Sequence, residues 1–141
     1  MNTSAPVKTG VLIKAGAPVI LLTAFLAIPA WAHHAFAAEF DATKPIKLEG
    51  TVTKMEWINP HAWIHIDVKK ADNTVEEWMI EAGSPNTLLR RGLTKDSLKA
   101  GTEILVEGYQ SKDGSLRANG RDIKLPNGQI LFLGSSIDDK K

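Results

Sequence analysis

Residues 84–92, Ser84-Pro85-Asn86-Thr87-Leu88-Leu89-Arg90-Arg91-Gly92, interrupt an otherwise strand-like body with one short helix, and their place in the chain limits the folds open to it. Ser84 is an N-cap residue, Pro85 suits the first helical position, and Gly92 suits the left-handed position just past the end. The spacing predicts a helix of about two turns, with Leu93 and Leu98 packing beneath it. Before it come three strand candidates, at 46–57, 62–68 and 75–81. After it come strands at 103–109 and 116–125, with a return through Ile130, Leu131 and Phe132. Three strands, a short helix, then two or three strands is the order of an OB-like Greek-key barrel. The expected class is therefore all-β: five or six strands, with the helix between strands 3 and 4. Another small antiparallel barrel or sandwich is the alternative.

The strand candidates carry a period of two. In 62–68, Ala62, Ile64, Ile66 and Val68 share one face and His61, Trp63, His65 and Asp67 the other. In 75–81, Trp78 and Ile80 face one way and Glu77, Met79 and Glu81 the other. Ile58-Asn59-Pro60, 71–74, 112–115 and 126–128 are turn signals. Gly50 inside the first strand predicts a bend or bulge there.

The first 32 residues read as an export signal. Lys8 and Lys14 give a basic start, residues 18–28 an apolar run, and Ala30-Trp31-Ala32 a small-x-small cleavage pattern. The run is shorter than the roughly 20 residues a membrane-spanning helix needs. Cleavage after Ala32 would leave a chain that starts at His33; a second small-x-small site at Ala35-Phe36-Ala37 would remove both leading histidines. The expected organisation is signal peptide 1–32, N-terminal arm 33–45, barrel 46–134 and flexible tail 135–141, in a periplasmic or secreted protein. Phe36 and Phe40 are placed to tether the arm. The chain has no cysteine, so disulfides, thiolate metal sites and lipid-modified cysteine anchors are excluded. Of its 17 basic residues two lie in the signal, against 16 acids that all lie beyond it, so the remainder carries net −1. That balance gives no footprint for nucleic acid or an anionic membrane.

Four histidines occur: His33, His34, His61 and His65. A free α-amino group beside an imidazole is a chelate, and amine plus imidazole nitrogen suits Cu(II) best, with zinc second. His61 and His65 share a strand face but stand ~13 Å apart along it, too far to hold one ion without a bend. The predicted ligand set is thus the His33 amine and imidazole together with either His61 or His65; the alternative is a planar chelate of the His33 amine, the His34 amide nitrogen and the His34 imidazole. Met79 and Glu81 lie on the neighbouring strand's matching face. The expected function is copper handling rather than turnover, since no nucleophile triad, paired carboxylates or phosphate loop is present. The competing expectation is a non-enzymatic barrel that binds a small ligand or a periplasmic protein on the outer face of strands 2 and 3, with Trp63 as a stacking platform flanked by Met79 and Glu81.

His33-His34-Ala35-Phe36, Glu39-Phe40-Asp41, Leu48-Glu49-Gly50-Thr51-Val52, Trp57-Ile58-Asn59-Pro60-His61-Ala62, Gly83-Ser84-Pro85-Asn86 and Leu89-Arg90-Arg91-Gly92 together resemble a family of small exported bacterial proteins of unknown function. The resemblance spans nearly all of the chain beyond the signal. It implies export and a small β-barrel, and it brings no activity.

Overall fold

The computed structural model describes Met1 and residues 36–134; residues 2–35, which include His33 and His34 and nearly all of the expected signal, and residues 135–141, the expected tail, lie outside the described residues. A helical turn at 36–39 leads into six strands. These are β1 (Phe40–Glu56), β2 (Trp63–Lys69), β3 (Val75–Glu81), β4 (Glu103–Ser111), β5 (Arg117–Lys124) and β6 (Ile130–Phe132), with helix α1 (Pro85–Arg90) between β3 and β4. The sequence order predicted for an OB-like Greek key is the order observed.

The strands pair antiparallel in the order β3-β2-β1-β4-β5-β6. A parallel contact of Met79, Ile80 and Glu81 with Arg117, Ala118 and Asn119 joins β3 to β5 and closes a ring. β1 serves two neighbours. Its residues 45–51 pair with β4 and its residues 51–56 with β2, with Thr51 opposite both Glu103 and Asp67. A register irregularity between Val52 and Lys54 turns the strand from one to the other. The bend expected at Gly50 therefore falls a little later, and Gly50 itself is in register with Ile104.

Alternation explains the interior. Ala62, Ile64 and Ile66 of the β2 segment and Trp78 and Ile80 of β3 are buried, together with Val52, Val106, Ala118 and Ile123 from the other strands. Each buried Val or Ile side chain contributes about 1.5–3 kcal/mol relative to exposure. Ser84 caps α1 by accepting from the Thr87 N–H, and Pro85 opens it. At the other end Gly92 (φ 84°) donates to Leu89 O and Leu93 donates to Leu88 O, which terminates the helix as predicted. Leu88, Leu93 and Leu98 are buried and seat the helix and its following loop on the core.

β1 begins at Phe40, six residues before the predicted start at 46. Thr43-Lys44-Pro45 hides this in the sequence, because proline cannot donate to a ladder. The structure absorbs it with an irregularity between the pairs Phe40–Ser111 and Pro45–Tyr109. Half of the predicted arm is therefore strand. Phe40 is 2% exposed, and Phe36 packs on it and edge-on against Tyr109, with ring centroids 5.7 and 5.8 Å apart. Among the described residues no helix is long and apolar enough to cross a membrane.

Candidate functional site

The outer face where β2 begins gathers His61, Trp63, Glu81, Arg117 and Glu39. His61 sits in the turn before β2, and the ladder continues around it: Ala62 donates to Gly83 O and Ala82 donates to Ala62 O. These bonds bring His61 to the end of β3, where its Nδ1 lies 2.9 Å from Glu81 Oε1. Glu81 is opposite Trp63 in register and parallel to Asn119. It is only 7% exposed, and the Asn119 amide donates to the same Oε1 at 3.4 Å. The sequence placed Glu81 on an outward face. By parity it is there, but the parallel β5 covers it, so it is a buried carboxylate engaged with His61 and Asn119 rather than an open ligand. Asn119 Oδ1 is buried without a hydrogen-bond partner.

Trp63 is half-buried, and the Arg117 guanidinium stands 5.2 Å from its ring centroid. Arg117 also donates to Glu39 Oε2 at 3.0 Å. The face expected as an open stacking platform is thus occupied by a cation, and that cation is tied to the turn where the arm enters the body. The same turn is fixed to the loop between β4 and β5: Lys112 N–H donates to Glu39 O at 2.9 Å, and its ammonium bonds Ala37 O. Asp113 orders that loop by accepting from Ser111 and Ser115, which holds its carboxyl down at about 2.

His65 is directly opposite Met79 on β3 and Lys54 on β1. Its Nε2 lies 3.3 Å from Glu56 Oε1, close in distance but without hydrogen-bond geometry, and is enclosed with no partner that meets it. Glu56 is itself bonded by Lys54, which, with its pull from His65, keeps its carboxyl below the usual value. Met79 is half-buried. The two wall histidines thus lie beside different carboxylates, Glu81 and Glu56, and among the described residues no group of three or more His, Asp or Glu is arranged to hold a metal ion. His33 and His34 lie outside the described residues. An open cleft of about 620 Å³ lies toward the opposite end of β2, lined by Glu49, Asp67, Lys69, Glu103 and Lys124 among others; its charges are mixed and it holds no histidine.

The hydrogen bond with Glu81 raises the His61 pKa above 6.5, assisted by the charges of Glu81 and Glu39 and opposed by burial. The sign for stability follows. Protonated His61 binds Glu81 more strongly than an unfolded imidazole would, so the stabilisation is complete below 6.5 and fades as pH rises through the raised folded value. His61→Gln should therefore lower the urea midpoint more at about pH 5.5 than at about pH 8.5, measured on the same preparation. An equal loss at both would mean that the pair does not titrate with folding.

A family model described as a family of unknown function (DUF6152) matches residues 20–120. The chain belongs to DUF6152. The residues of the cluster, from Glu39 to Asn119, lie within that match, and so do His33 and His34. No curated protein and no solved structure matches the chain. Reasoning from sequence missed Arg117 and Asn119, which reach the site only through the parallel β3–β5 contact. It placed Glu39 in an arm tethered by Phe36 and Phe40, without its bond to Arg117.

Proposed function

We propose that this DUF6152 chain is an exported, periplasmic metal-binding protein that handles copper, with zinc as the weaker alternative, through a histidine chelate at its processed terminus and a histidine of the β2 face. What supports this is the position of the first turn. Glu39 is bonded to Arg117, Arg117 lies over Trp63, and the Glu39 charge is felt at His61. The chain therefore enters the body on the face that carries the wall histidines. His33 precedes Phe36 by three residues, a reach of about 10 Å. A terminal amine with neutral imidazoles is a donor set that Cu(II) favours over other divalent first-row ions. The tidy cleavage pattern after Ala32 would supply that amine.

The test is optical. Trp63 stands beside His61, so Cu(II) bound there should quench its emission. Protein recovered after export, with its terminus read by mass spectrometry, should show saturable quenching at one equivalent of Cu(II), reversed by a strong chelator. Weak, non-saturating quenching, or a native chain starting at Ala38, would remove the proposal. A barrel that uses Trp63 as a ligand platform would show neither saturation by copper nor dependence on the leading histidines.

A further inference from the structure

We infer that Glu81 is a positioning residue: it holds His61 in the tautomer with hydrogen on Nδ1, leaves Nε2 as the lone-pair donor, and so makes His61, not His65, the wall ligand. This rests on the proposed copper binding. It does so through a feature of the protein that can be read without metal.

An ionised carboxylate only accepts hydrogen bonds. With Nδ1 at 2.9 Å from Glu81 Oε1, the ring nitrogen that faces the carboxylate must carry the hydrogen, and in the neutral ring the other nitrogen then carries the lone pair. Glu81 is well placed to impose this. It is 7% exposed, it sits at the closure of the ring in register with Asn119, and the Asn119 amide pins its Oε1. The His61 side chain is 41% exposed, so its outer edge is open on the side where Glu39 and Arg117 anchor the arm. A histidine ligand whose second nitrogen donates to a carboxylate is the usual arrangement in metal sites, and loss of the carboxylate commonly weakens metal binding 10–100-fold.

His65 has the opposite surroundings. Its Nε2 is enclosed against Glu56, and Glu56 is bonded to the Lys54 ammonium, a fixed positive charge beside any ion that approached. The side chain is 25% exposed, and it is directed toward β1 rather than toward the arm.

The test uses exported protein with its terminus verified, and variants Glu81→Gln and His65→Gln. Nitrogen-15 spectra of the metal-free protein, taken above the imidazole titration range, report the tautomer. The expected spectrum shows His61 with hydrogen on Nδ1. In Glu81→Gln, whose amide can either accept or donate, the other tautomer should appear, and Cu(II) affinity should fall about 10–100-fold. His65→Gln should leave affinity within about twofold. Hydrogen on Nε2 of His61 in the unaltered protein would overturn the inference, as would a Glu81→Gln protein with unchanged tautomer and affinity, or a loss of binding on His65→Gln. If the unaltered protein binds no copper while the tautomer is as expected, it is the copper function, and the ligand role with it, that falls; the positioning of His61 by Glu81 stands.

Discussion

Acetylation of the His33 amine should weaken Cu(II) binding by about a hundredfold, equivalent to about 2.8 kcal/mol. The effect is large because of what acetylation removes. A terminal amine at neutral pH loses its proton readily, whereas the amide nitrogen that would replace it holds its proton and ligates poorly. The chelate ring between that amine and the His33 imidazole goes with it. Everything downstream is unchanged: Phe36 still packs on Phe40 and Tyr109, and Glu39 still bonds Arg117. Thermal unfolding of the two metal-free forms should therefore coincide, which separates a lost ligand from a damaged fold. Competition titration against a chelator of known affinity makes the comparison. Equal affinities would show that the amine is not a donor. Acidification should weaken both forms, because protonated imidazole cannot ligate; in this pH range the His61–Glu81 pair strengthens the metal-free fold while copper binding declines.

Gly108→Ala should destabilise the protein by about 3 kcal/mol or more, with a fall in melting temperature of about 12 °C or more. Gly108 lies at the irregularity between β4 and β5, opposite Gly120 and also Ile46. A Cβ there would stand 2.1 Å from Asn119 O, 3.0 Å from Asn119 C and 3.1 Å from Gly120 Cα. All three are backbone atoms, so no side-chain rotation relieves the contact and β5 must move outward. The same movement would draw Asn119 from Glu81, and copper affinity should fall with stability. A variant as stable as the parent would contradict the close passage of β4 over β5 on which the ring closure depends.

The parts of this fold that were legible in sequence are those governed by local chemistry. Alternation in 62–68 and 75–81 marked the apolar core side chains of β2 and β3, Ile64, Ile66, Trp78 and Ile80, and Ser84, Pro85 and Gly92 marked the helix because each occupies a backbone position that few other residues suit. What remained hidden depends on contacts distant in sequence. The parallel pairing of 79–81 with 117–119 leaves no periodic trace, yet it buries Glu81, supplies Asn119 and sets Arg117 over Trp63. The early start of β1 was masked by Thr43-Lys44-Pro45, since a strand that tolerates proline by losing register has no clean pattern. Of the candidate site, the separation of His61 and His65 followed from strand geometry alone. The distinction between them did not, because it comes from two carboxylates, Glu81 and Glu56, on different strands.

The most direct test of the central claim, a copper ion held between the processed terminus and the barrel wall, is the electron paramagnetic resonance spectrum of the Cu(II)-loaded exported protein beside that of His61→Gln. Nitrogen hyperfine splitting in the parent and the loss of one nitrogen donor in the variant is the predicted result. Identical nitrogen splitting in the two proteins would place the ion away from His61 and contradict it.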